Sequence, residues 1–185
     1  MSYASLAQTL RVPLGFVLAA LYLYIARPTP LTVALGGVIA LAGLLVRAWA
    51  AGHIVKNNQL ATTGPYAHTR NPLYFGSFLI AAGFALIGHW SLLLAVIVFF
   101  AVVYIPVIER ERLHMSRRFP EAYPEYQRNV PAFLPRPFPW RAGAAAQGNG
   151  GRFSLELYLR HREWRAAVAF VATLAFLVWR MQRAH

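Results

Sequence analysis

Five apolar runs, at residues 12–26, 31–46, 72–87, 90–108 and 164–179, are separated by shorter polar connections. Most are slightly shorter than the roughly 17–25 residues a straight helical span prefers. Arg11, Tyr22, Tyr24, Arg47, Trp90, Trp164 and Trp179 stand at their ends, where side chains of these types extend a span into the interface. The pattern predicts an all-α protein, a polytopic helical bundle forming a single membrane domain over 1–185. Pro28 and Pro30 punctuate the turn between the first two spans. Gly36, Gly37, Ala40 and Gly43 on the second, and Ser77, Ala81 and Ala85 on the third, give small-residue faces suited to close packing. Only Gly88 and His89 separate the third span from the fourth, which makes the two an antiparallel hairpin. Beyond Ile108 the fourth helix runs on into water through Glu109, Arg110 and Glu111. Pro120 and Pro124 then bracket a short helix, prolines recur from 131 to 139, 142–151 reads as a linker, and 152–163 as an interfacial helix.

Charge sharpens this picture. Acidic residues are absent from the first 108 positions, and all six carboxylates are glutamates. Charged residues make up 13% of the chain against roughly a quarter in soluble domains. A carboxylate at mid-bilayer costs about 2.5–3.5 kcal/mol, so its exclusion from the spans fits an integral membrane protein. The net charge of +12 does not indicate nucleic acid, because 11 of the 18 basic residues cluster between Arg110 and Arg165. That asymmetry places the amino terminus, the 52–70 loop and the 109–163 segment on the cytoplasmic side, as in a bacterial inner membrane. Anionic headgroups account for the charge at about 1 kcal/mol per basic residue. With no cysteine, the chain has no disulfide, thiolate metal site or thiol nucleophile, and no metal is expected.

Chemistry is concentrated in two segments. In the first, Thr62 to Gly76, Pro72 is placed to open the third helix, Asn71 to cap it and Arg70 to stand at the membrane surface. Amides at such a helix start receive a carboxylate or phosphate, with Tyr74 and Gly76 just inside. Equally, these residues read as a capped helix with an interfacial Tyr and a snorkelling Arg. In the second, Glu109 and Glu111 lie two positions and about 200° apart on a helix, so one faces inward and the other pairs with a neighbouring arginine.

Taken together, Gly64-Pro-Tyr-x-x-x-Arg70-Asn-Pro-x-Tyr74-x-Gly76, a hairpin, Glu109-x-Glu111, Phe119-Pro-Glu-x-Tyr123-x-x-Tyr126 and Val130-Pro131 resemble one family. It is the membrane-bound isoprenylcysteine carboxyl methyltransferase and phospholipid N-methyltransferase family, and the resemblance covers about residues 47–137. It implies S-adenosyl-L-methionine bound at the cytoplasmic face by His68, Arg70, Asn71, Pro72, Tyr74, Gly76, Glu109, Glu111, Tyr123 and Tyr126. Arg70, Glu109, Glu111 and Arg128 are the implied catalytic residues. Three positions depart from the family pattern: Asn71 where many members have His, Glu109-Arg-Glu111 in place of adjacent glutamates, and Ala132 in place of Arg.

The expected reaction is methyl transfer to a lipophilic substrate entering from the bilayer. A prenylated cysteine-like carboxylate needs only positioning, whereas a phospholipid amine must also lose a proton. The alternatives are a membrane reductase using a nicotinamide cofactor, and a non-catalytic scaffold or transporter. Ion-coupled transport is disfavoured because the spans carry no ionisable side chain away from their edges.

Overall fold

A computed structural model describes residues 13–17, 19, 20, 22–53, 60–141 and 153–183; Arg11, Lys56 and the expected linker at 142–151 lie outside them. Regular structure among the described residues is helical throughout. Helix α1 is Pro13–Ile25, α2 is Pro30–Ala51 and α3 is Pro72–Gly88. A continuous rod follows, made of α4 (Ser91–Phe99), a π-helical turn (Phe100–Tyr104) and α5 (Ile105–Arg118). Two short helices, α6 (Tyr123–Asn129) and α7 (Leu155–Arg160), precede α8 (Trp164–Arg183).

The five apolar runs all emerge as helices, and the chain is a helical membrane bundle. Among the described residues, three helices are long and apolar enough to cross a bilayer: α2, the Ser91–Arg118 rod and α8. Helices α1 and α3 are apolar but shorter; the 17 residues of α3 reach about 25 Å at 1.5 Å per residue. Helix α2 runs past the expected end at residue 46 and carries Arg47 within its last turns. Leu31, Leu35, Val38, Leu41 and Leu45 form an exposed stripe along α2, spaced three or four apart. Such a stripe, with Leu94, Ile97, Val98, Val102 and Ile105 exposed on the rod, suits lipid rather than water.

Helices α2 and α3 form the tightest contact. Thr29 caps α2 reciprocally with Thr32, whose hydroxyl also donates to the Ile87 carbonyl at 3.2 Å and ties the start of α2 to the end of α3. The crossing itself is glycine on glycine. A Cβ on Gly36 would stand 2.4 Å from the Gly83 carbonyl oxygen, and one on Gly43 would stand 2.6 Å from that of Gly76. The reverse contacts are equally short, so backbone meets backbone with no room for a methyl. One expected position needs correcting: Gly37 points into open space. On α3, Gly76 and Gly83 join the crossing, Ser77 meets Arg47 of α2 and Ala85 is buried.

The π-helical turn has a local cause. Pro106 has no N–H for the Val102 carbonyl, and its ring would crowd that carbonyl in an α-helix; the wider turn just before it relieves both. At the end of the bundle holding the α3–α4 link, Ala26, just past α1, packs with Ile87 of α3 and Leu177 of α8. There Arg180 donates to the carbonyls of Leu23 and, at 2.8 Å, Tyr24, satisfying the otherwise orphaned end of α1. The opposite end gathers both chemically dense segments.

Candidate functional site at the end of α3

The loop entering α3 is shaped by Gly64. Its φ of +58° lies in the left-handed region, and a Cβ there would stand 2.5 Å from Cδ2 of His53, so conformation and space both demand glycine. A 3₁₀ turn, Gly64–Ala67, then buries Pro65, Tyr66 and Ala67. From Ala67 to Asn71 the loop is laced to the proline-rich segment after α6. Arg70 N–H donates to Pro131 O, Arg136 N–H to His68 O and Trp140 N–H to Ala67 O, each at 2.9 Å. Side chains add to the lacing. The Thr69 hydroxyl donates to Phe133 O (2.9 Å), and the Asn71 amide to Ala132 O (2.8 Å). His68 Nδ1 meets Arg136 O at 2.9 Å; the carbonyl can only accept, so Nδ1 carries the proton and Nε2 is left as the acceptor in the neutral ring.

Helix α6 braces the same loop from the other side. Tyr123, Tyr126, Val130 and Leu60 form a small core with Met115, Phe119, Ala122 and Trp140 packed on it. From that core the Tyr126 hydroxyl donates to the Tyr66 carbonyl at 2.7 Å, and the Tyr123 hydroxyl accepts from Arg70 Nη1 at 3.0 Å. Burial pushes the Tyr126 phenol well above its ordinary value, so it remains a donor. The guanidinium of Arg70 is therefore fixed at one corner, while its buried Nε has no protein partner. Glu109, exposed and hydrogen-bonded to Arg112, stands within electrostatic reach of Arg70.

A second polar cluster lies beside the first and joins α2, α3 and α8. Both outer faces of the Arg47 guanidinium are engaged: Nε and Nη2 reach Glu163 at 2.7–3.0 Å, while Nη1 reaches Ser77 Oγ at 2.5 Å and Leu73 O at 3.3 Å. Glu163 is aimed by its neighbour: Arg162 adopts φ +55°, a costly conformation for a side chain of its size, and this turns the chain from α7 into α8. Tyr66 is 94% buried beside this pair, and its hydroxyl has no protein partner. Tyr74 packs edge-on against Tyr104, with centroids 5.4 Å apart.

Most of the residues expected from sequence gather here, in different capacities. Arg70, Glu109, Tyr123 and Tyr126 form the first cluster, and Tyr74 and Glu111 stand near Tyr66. Glu109 takes the arginine-paired place expected for one of the two glutamates, leaving Glu111 on the Tyr66 side; both are exposed. Asn71 stands at the N-cap position but makes no cap hydrogen bond, because its amide is drawn to Ala132 O instead. Pro72 opens α3 as expected, and Gly76 lies at the helix crossing against Gly43 and Arg47. Arg128 is exposed on α6, with Nε donating to Pro124 O of its own helix at 3.3 Å, and is not brought to the others. Sequence reasoning gave no site role to Arg47, Glu163 or Tyr66. Arg47 looked like an interfacial anchor, and its partner lies 116 positions away.

Known proteins add to the geometry. A family model described as phospholipid methyltransferase matches residues 30–122, from the start of α2 to just beyond α5. The cobalt-zinc-cadmium resistance protein CzcN of Cupriavidus metallidurans is 37% identical over 134 residues, covering 68% of this chain and 62% of that protein. The nickel-cobalt-cadmium resistance protein NccN of Alcaligenes xylosoxydans xylosoxydans is 40% identical over 93 residues, covering 49% of this chain and 43% of its own length. The chain thus spans less than two thirds of either relative. No solved structure matches it significantly. The matched stretch takes in the glycine crossing, the laced loop, Arg70 and both glutamates of α5, and by it the chain belongs to the phospholipid methyltransferase family, which supports a membrane methyltransferase.

Proposed function

We propose that this protein transfers a methyl group from S-adenosyl-L-methionine to a lipophilic acceptor at the cytoplasmic face of the membrane. The observation that carries the reading is Arg70. It is braced by Tyr123 from the second motif segment, its Nε is buried without a protein partner, and Glu109 is close by. A zwitterionic amino-acid moiety asks for a cation and an anion side by side, and the donor set fits it. Arg70 would take its carboxylate, and Glu109, the glutamate on the Arg70 side, its ammonium. When bound, the cofactor supplies a methyl group on a sulfonium, open to in-line displacement.

The chain's own work is positioning, worth up to about 7–11 kcal/mol in favourable cases. Lacing through Pro131, Arg136 and Trp140 holds Arg70 and His68 in register. A carboxylate acceptor, as on a prenylated cysteine-like group, needs no proton removed. A phospholipid amine does, and His68 Nε2, with Nδ1–H committed to Arg136 O, is the available base. Charge supports the cytoplasmic orientation. Arg47, Arg70, Arg110, Arg112, Arg117, Arg118 and Arg136 lie toward the site end, while Arg27, Arg180 and Arg183 lie toward the other.

Calorimetric titration of S-adenosylmethionine into detergent-purified protein tests the reading. Micromolar binding is expected, weakened roughly ten- to a hundredfold by Arg70→Ala, as for loss of a hydrogen bond to a charged group. Folded protein that binds neither S-adenosylmethionine nor S-adenosylhomocysteine overturns it.

A further inference from the structure

The lone hydroxyl of Tyr66 is out of keeping with its surroundings. The residue is 94% buried and its carbonyl is held by Tyr126, yet the hydroxyl has no protein partner. A buried hydroxyl left unpaired destabilises the fold that carries it. Phenylalanine would pack the same space without that penalty.

The surrounding groups define what such a hydroxyl could meet. Arg47 is the nearby cation, but its nitrogens are already committed to Glu163, Ser77 and the Leu73 carbonyl. It has little left with which to grip a phosphate or carboxylate. Glu163 is matched by Arg47, and the exposed Glu111 adds a further negative charge within electrostatic reach of Tyr66. Burial first, then the charges of Glu163 and Glu111, pushes the Tyr66 phenol above its ordinary value, so it stays a neutral hydroxyl. Tyr74, within electrostatic reach of Tyr66, supplies an aromatic ring alongside and packs edge-on against Tyr104. Negative charge, π-faces and a free hydroxyl oxygen together recognise a cation rather than an anion.

We infer that Tyr66, with Tyr74, Glu111 and the Arg47–Glu163 pair around it, forms a subsite for a positively charged onium centre of a ligand. This rests on the methyltransferase reading and deepens it. The shared chemistry has two sources, the sulfonium of the methyl donor or the ammonium of an amine acceptor. Glu163 is a positioning residue here: it neutralises the Arg47 guanidinium beside Tyr66 and occupies its Nε and Nη2.

The test is Tyr66→Phe in the full chain, with thermal unfolding and three ligand titrations. The probes are S-adenosylmethionine, S-adenosylhomocysteine, which lacks the sulfonium charge, and dihexanoyl phosphatidylethanolamine. The variant is expected to unfold at a higher temperature than wild type. It should also lose about tenfold in affinity, the scale of one net hydrogen bond, for one onium probe while S-adenosylhomocysteine is unchanged. Loss with S-adenosylmethionine assigns the sulfonium, and loss with the lipid assigns the ammonium. A variant with all affinities unchanged, or weakened equally for S-adenosylmethionine and S-adenosylhomocysteine, overturns the subsite. Wild type that binds neither nucleoside overturns the methyltransferase reading, and the lipid titration still judges Tyr66.

Discussion

Where α2 and α3 cross, Gly36 meets Gly83 and Gly43 meets Gly76 through bare backbone, and no side chain intervenes. At the end of the same two helices, contact is almost wholly polar. Arg47 reaches Glu163 and Ser77, and the loop before α3 hangs from the carbonyls and amides of residues 131–140. The first region has spent every degree of freedom on proximity and has nothing to offer a ligand. The second keeps two buried polar atoms without protein partners, Arg70 Nε and Tyr66 Oη. The rigid crossing thus provides the footing on which a less stable, more reactive surface is held.

The contrast is most sharply broken at the ion pair. Glu163→Ala leaves Arg47 largely buried with a single strong partner, and should cost about 3 kcal/mol, at the low end for a buried pair because Arg47 keeps part of its surface in contact with solvent. Chemical denaturation in detergent would show it as a lower midpoint. At the crossing, Gly83→Ala drives a methyl into the backbone of Gly36 and Ala40 and should cost about 2 kcal/mol. Gly37→Ala is its control. With open space around it, that change should be neutral or stabilising by up to about 1 kcal/mol through helix propensity.

A smaller effect belongs to the brace. Tyr126→Phe removes the donor to Tyr66 O and should cost about 1 kcal/mol. The tyrosine also sets a pH dependence. Its folded pKa lies above the unfolded value of about 10, so its stabilisation is complete below that pH and is lost as pH rises further. Unfolding midpoints measured from pH 8 to 11 should fall less steeply in the variant. Smallest of all is Arg128→Ala, expected to change stability by under about 0.5 kcal/mol and leave cofactor affinity intact. A large loss of affinity there would return Arg128 to the site.

Much of this division could be read from the chain. Apolar runs mark the helices, glycines on α2 announce a close crossing, and the spacing around Arg70, Glu109 and Tyr123 locates the chemical end. What the sequence hid follows from geometry. Gly76 and Gly83 lie one or two positions from Ser77 and Ala85, and the spacing of small residues alone does not say which of them meets bare backbone. Asn71 fits the residue preferences of a cap, but a carbonyl brought from Ala132 competes for its amide. The Arg47–Glu163 pair joins residues with no local pattern in common, so only the packing of α8 on α2 reveals it. Tyr66 is silent in sequence because an unpaired hydroxyl looks like any other aromatic until its partners are counted.

The segment from 131 to 140 has a further property. Its two donating amides belong to Arg136 and Trp140, while prolines occupy 131, 135, 137 and 139, positions whose nitrogens are asked for nothing. Proline fixes φ near −65° and favours an extended neighbour, so the stretch is straightened before it docks. It acts as a splint: stiff in the free chain, indifferent to most side-chain changes, and sensitive only where a fifth proline would silence an amide at 136 or 140.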